Sequence, residues 1–293
     1  MKKRVSFAGL LFALSVITTV SFSQVKITAD SIAVASNQNY VLAGTAFNSD
    51  VVFLGRKSLT KSPYISTSAG YYHKSGLFIS GIISYLAVSQ QNRIDLFTAT
   101  GGYDYYKKNL TTGVSVTGYI FNDKSYTTKS ALTANLSAYA DYDLDFLELY
   151  ADGTMYFSGQ SDFIFNLAAS HNFYMAKDKL KVSPTFSLYG GTQNYYSNYN
   201  NNLRFGQHML SDGSGNGMGT GMMGGASFNI QDYEFSIPVQ YDYKHFRFLF
   251  YPVYAIPVNA ATIVSNQNTY KEDLENTFFW SLALYYKIQK HKK

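Results

Sequence analysis

The sequence predicts an all-β protein, a transmembrane, antiparallel, up-and-down barrel of about 12 strands. Three observations carry this. Apolar residues alternate with polar ones at a period of two through most of the chain. Tight turns alternate with longer connections rich in Asn, Ser, Gly and Lys. Aromatic residues gather beside the tight turns.

The N-terminus comes first. Lys2, Lys3 and Arg4 precede an apolar run from Phe7 to Val20, and Ser21-Phe22-Ser23 places small residues where a signal peptidase reads. Residues 1–23 therefore read as a cleaved signal peptide. The run is shorter than the roughly 20 residues a spanning helix needs. Three of the 24 basic residues lie in this segment, which leaves 21 against 19 acids. So even a balance offers nucleic acid no basic footprint. Cysteine is absent, which removes disulfides and thiolate metal sites. Residues 24–47 read as a periplasmic or lumen-inserted lead.

The strands follow over 48–289. The expected segments are 50–58, 63–73, 76–87, 94–106, 109–121, 131–143, 146–157, 162–174, 179–193, 232–243, 245–258 and 276–289. The tenth is the clearest: Tyr233, Phe235, Ile237, Val239, Tyr241 and Tyr243 alternate with Asp232, Glu234, Ser236, Pro238, Gln240 and Asp242. Such a strand buries one face and wets the other. The polar faces are mostly Ser, Thr, Asn and Gly, as in Thr111, Gly113, Ser115 and Thr117. A soluble sandwich would carry Lys and Glu there. A polar lumen inside a lipid-facing wall fits better. Residues 290–293 form a basic tail.

Tight connections fall at 73–76, 107–109, 144–145, 176–179 and Lys244, and the long ones at 89–93, 122–130, 194–221 and 259–275. Short periplasmic turns and longer outer loops set the orientation. Beside the turns lie Tyr71, Tyr103, Tyr105, Tyr142, Phe173, Tyr241, Tyr243 and Tyr286. They read as an aromatic girdle at the headgroup level. The paired glycines Gly101-Gly102 and Gly190-Gly191 read as strand kinks.

Alternation points Arg56, Asp104, Asp141, Glu148, Asp152, Lys181, Glu234 and Arg247 inward. Charges in a narrow lumen need partners or water. Two readings follow: a plug of ion pairs, or a polar path in which Arg56 and Arg247 face Glu148, Asp152 and Glu234 across a constriction. His208, Met209, Met218, Met222 and Met223 contain soft ligands, but glycines on both sides leave them without fixed geometry, so no metal site is assigned. No cofactor motif is present in the sequence.

Residues 281–288 (Ser-Leu-Ala-Leu-Tyr-Tyr-Lys-Ile) resemble the C-terminal signal read by the barrel assembly machinery, with Ala283 in place of a glycine and Ile288 in place of a final aromatic. Asn48 to Arg56, Pro63 to Gly81, Asp232 to Tyr241 and Tyr251 to Pro257 resemble a group of single-chain, porin-like outer-membrane barrels common in Bacteroidetes. That resemblance implies architecture and location, not a substrate. His73-Lys74-Ser75 resembles the His-x-Ser of outer-membrane phospholipase A, but Gly76 replaces that family's Asn and the site falls in a short turn. No catalytic residue is assigned.

The expected function is a narrow outer-membrane channel for passive passage of small polar solutes. A non-transporting structural or ligand-binding barrel is the second reading, and a lipid-modifying enzyme the third. The expected partners are outer-membrane lipid and lipopolysaccharide, with the assembly machinery during biogenesis.

Overall fold

The structure is a computed structural model, described over residues 38–57, 61–125, 132–158, 161–194, 220–223, 227–265 and 268–289. Residues 1–23, read as a signal peptide, and the basic tail at 290–293 lie outside the described residues.

Twelve antiparallel strands close into a barrel. We number the barrel strands β1 (Tyr40–Asn48), β2 (Tyr64–Tyr72), β3 (Leu77–Leu86), β4 (Arg93–Lys107), β5 (Leu110–Phe121), β6 (Ala134–Asp143) and β7 (Glu148–Phe157). Next come β8 (Asp162–Ser170 with Phe173–Met175), β9 (Leu180–Val182 with Thr185–Gly191) and β10 (Asn229–Ser236 with Val239–Tyr243). The last two are β11 (Phe246–Pro257) and β12 (Thr277–Gln289). Each pairs with its sequence neighbours, and β1 pairs with β12 from Tyr40↔Gln289 to Asn48↔Ser281. Closure removes the free edges that an open sheet would expose.

The strand count agrees with the sequence, but the first strand does not. The expected strand at 50–58 is not in the wall. Val52–Phe53 pairs with Arg56–Lys57 in a two-residue-wide hairpin, and the wall position is taken by Tyr40–Asn48. The lead expected at 24–47 therefore ends in a barrel strand, and its residues 24–37 lie outside the described residues. The reason is burial on both faces: Val51, Val52, Phe53 and Leu54 are all buried, and an interior segment shows no alternation. Strand β1 hides its own alternation because its residues are small: Ala43, Gly44, Thr45 and Ala46.

Three wall strands break at one height. Pro184 and Pro238 have no N–H to give the ladder, while their carbonyls still accept: the His171 amide donates to Pro184 and the Ser183 amide to Pro238 at 3.1 and 3.0 Å. Inside this seam Ser183 Oγ donates to Asn172 Oδ1 at 2.7 Å, and Asn172 in turn donates to Glu148.

Of the two glycine pairs expected as kinks, Gly101-Gly102 keeps an unbroken register with both neighbouring strands. A Cβ on Gly102 would come within 2.5 Å of the Phe78 ring, so that glycine makes room for an inward aromatic. The register shifts between Tyr189 and Gly190, which is a bulge rather than a simple bend.

The outward face is apolar. Ile79, Ile120 and Phe278 are 63%, 67% and 63% exposed, and similar residues recur on every wall strand from β2 to β12. No described helix is long and apolar enough to cross a membrane.

Candidate functional site: a hairpin across the barrel bore

The inserted hairpin is the organising feature of the long-loop end. Asp50 closes its neck: its Oδ1 accepts the Val51 and Ser62 amides, both at 2.8 Å. Burial pushes the Asp50 carboxyl up from its usual range, against the pull of those two donors. Leu54 and Gly55 form the tip, with φ of 49° and 73°.

Side chains from the tip spread around the bore. Val52 belongs to a cluster with Val253, Ala255 and Phe279 of β11 and β12. Phe53 and Leu54 belong to another with Leu96, Tyr119, Tyr156, Ile164 and Tyr189, from β4, β5, β7, β8 and β9. Val52, Phe53 and Leu54 are 0%, 2% and 1% exposed. Each such burial stabilises by roughly 1.5–3 kcal/mol.

Arg56 fixes the hairpin to the wall. Its Nε reaches both Glu272 oxygens at 3.2 and 3.1 Å. Nη1 donates to the carbonyls of Leu54 at 2.9 Å and Gln231 at 3.2 Å. Nη2 donates to the carbonyls of Val258 and Asn259 at 3.1 and 3.2 Å. Arg56 is thus buried, but on the hairpin and not on a wall strand. Gly55 is needed beside it, since a Cβ there would lie 2.6 Å from Asp232 Oδ1.

Below the hairpin the lumen is lined by polar side chains. Thr100 bonds Thr117 at 3.0 Å and Ser137 bonds Thr154 at 2.8 Å. Tyr139 donates to Asp104 Oδ1 at 2.6 Å and Tyr106 to Asp104 Oδ2 at 3.2 Å. A register row runs Tyr139, Asp152, Asn166, Tyr189, Asp232 across five adjacent strands, and all five are buried.

Asp104, Asp141, Glu148, Asp152, Lys181 and Glu234 are buried wall residues on the lumen side, and Arg247 is half-buried. Their pairing differs from the expected constriction. Arg56 binds Glu272, and Arg247 forks onto Asp242 at 2.7 and 2.9 Å. Lys181 lies 3.9 Å from Glu148. Sequence reasoning missed Glu272, because nothing in the local alternation brings the loop before β12 onto the hairpin, and it missed Asp242 as the partner of Arg247 although the two face each other across the Lys244 turn.

Tyr71, Tyr103, Tyr105, Tyr142, Phe173, Tyr241, Tyr243 and Tyr286, expected as a girdle, are all exposed on the outer face near the short turns. His73 Nδ1 lies 2.8 Å from Ser75 Oγ and also accepts the Ser75 amide at 3.2 Å. That is a local turn contact in an exposed loop. Among the described residues no carboxylate contacts the ring. The Met/Gly-rich stretch lies mostly outside the described residues, although Thr220–Met223 pairs with Thr262–Ser265 and the latter with Asn268–Lys271. Among the described residues no group of three His, Asp or Glu side chains converges on a common point.

No known protein family matches the sequence, and no curated protein matches it. Solved structures match by fold. One is a KdgM porin in complex with disordered oligogalacturonate, at 9% identity over 85% of this chain and 98% of that one, TM-score 0.43. A NanC porin matches at 9% identity over 85% and 100%, TM-score 0.46. LpxR from Salmonella typhimurium matches at 9% identity over 84% and 99%, TM-score 0.40. The likeness is one of barrel fold and does not extend to a sequence family.

Proposed function

We propose that the chain is an outer-membrane barrel forming a narrow conduit for small polar solutes, held shut in this conformation by the Val52–Lys57 hairpin. An apolar band this extensive on a closed barrel calls for lipid as its solvent. Small hydroxyls and charges line the inner wall, where a purely structural core would be apolar. The observation that carries the reading is that polar inner wall, on which Thr100 bonds Thr117 and Ser137 bonds Thr154, with one segment crossing the bore at the long-loop end. No catalytic role is assigned to His73 or Ser75.

The second reading is a non-transporting barrel. Arg56 favours it, because bonds to one carboxylate and four carbonyls make a rigid strut. Planar-bilayer conductance separates the two. The refolded wild type should be nearly silent. A variant with residues 51–62 replaced by a short Gly-Ser turn should show discrete steps. Silence from both would discard the conduit and leave the structural barrel.

A further inference from the structure

We infer that the short-turn end carries a collar that binds anionic phospholipid headgroups, built from lysines at the turn tips. The inference rests on the membrane reading above and adds a partner to it. Lys74, Lys107, Lys108, Lys177, Lys179 and Lys244 occupy four of the five short turns, and all six are exposed. Only Asp145 and Asp178 oppose them on these turns.

Two features place this charge at the rim. The first is turn geometry: Lys108, Lys177 and Lys244 adopt φ of 51°, 59° and 56°, and with Asp145, Ala176 and Asp178 in the same left-handed region they make the turns tight and set these lysines at the tips. The second is radial segregation. At the same end of the barrel Asp104, Asp141, Asp143 and Glu148 are buried on the lumen side, where Lys181 joins them, while the six turn lysines project at the rim. These four acids therefore do not neutralise the collar's outer surface, which leaves Asp145 and Asp178 as the exposed acids on the turns.

The collar also adjoins the aromatic girdle. Lys244 Nζ lies 5.3 Å over the Tyr243 ring, so this ammonium folds back toward the outward tyrosines. Tyr103 and Tyr105 precede Lys107 on the same strand, and Tyr243 precedes Lys244. A tyrosine belt at headgroup depth puts these ammoniums beside lipid phosphates, where each basic group is attracted to an anionic surface. An acidic protein would find instead a thin ring interrupted by the lumen mouth. A lipid leaflet surrounds the ring on every side.

The test uses the full-length mature protein in phosphatidylcholine bilayers with spin-labelled phosphatidylglycerol or phosphatidylcholine. The readout is the relative association of the two probes with the barrel surface. Wild type should prefer phosphatidylglycerol several-fold, roughly the effect of one or two basic contacts, and high salt should remove the preference. Replacing the six lysines with glutamine should bring the ratio near one. Lys57→Gln with Lys124→Gln, on the opposite end, should leave it unchanged. A preference that survives the six substitutions, or no preference in the wild type, overturns the collar. Failure to enter phosphatidylcholine bilayers at all overturns the membrane reading and the collar with it.

Discussion

The Arg56 Nε sits 3.1 Å from a Glu272 carboxylate oxygen, and both side chains are almost completely withdrawn from solvent. One residue comes from the hairpin between β1 and β2, the other from the loop before β12. The pair therefore ties two connections 216 residues apart across the mouth of the barrel. Glu272 Oε2 also accepts the Ala261 amide at 3.1 Å, which holds the carboxylate in place.

Removing one partner should be costly. Arg56→Met leaves Glu272 buried without its cation and should destabilise by about 3–5 kcal/mol. Arg56→Met with Glu272→Met should recover much of that. Reversible denaturant unfolding in lipid vesicles measures both. A double variant no more stable than the single one would show that the pair is not the anchor.

Gly55→Ala should destabilise by roughly 1–3 kcal/mol, because the position has φ of 73° and a Cβ would meet Asp232 and Pro257 within 3 Å. Gly118→Ala, where a Cβ would meet nothing within 4 Å, is the matched control and should be close to neutral. Thermal midpoints followed by gel mobility compare them. Equal losses at both sites would contradict the close seating of the hairpin tip.

Tyr139→Phe removes the 2.6 Å donor to Asp104, while the Tyr106 hydroxyl stays at 3.2 Å. The buried carboxylate then lacks its better partner, at a cost of about 1–3 kcal/mol. Tyr142→Phe, on the exposed outer face, should cost far less. The same unfolding measurement checks the contrast, which fails if the two losses are alike.

Trp280 is the one tryptophan in the chain. Its ring lies 5.4 Å from Phe47 and 6.1 Å from Phe250. In vesicles, lipids brominated on the acyl chain should quench its fluorescence strongly. Fluorescence unchanged by brominated lipid would argue against lipid contact at this face.

Much of the wall was legible in the sequence because a lipid-facing strand with a polar lumen alternates without interruption. Strand β10 shows this from Tyr233 to Tyr243 despite its break at Pro238. The strand count and the outward tyrosines follow from the same period. The hairpin was not legible for a physical reason. Val51 to Leu54 is apolar on both faces because it sits inside the barrel, and a short apolar run also resembles a buried strand. The small residues of β1 gave no competing signal, so Arg56 was placed on a wall it does not belong to. Its partner was equally hidden, since Glu272 reaches it only after the barrel has closed. Asp242 lies five residues from Arg247 and just across a turn, a spacing from which that ion pair could have been read.

The most direct test of the plugged barrel is the reactivity of one position. The chain has no cysteine, so Leu54→Cys introduces a single thiol at the hairpin tip. In the folded, membrane-inserted protein this thiol should resist a bulky, water-soluble maleimide, and it should label fully after unfolding. Labelling of the folded protein as fast as the unfolded chain would contradict the account, because it would place the hairpin outside the bore.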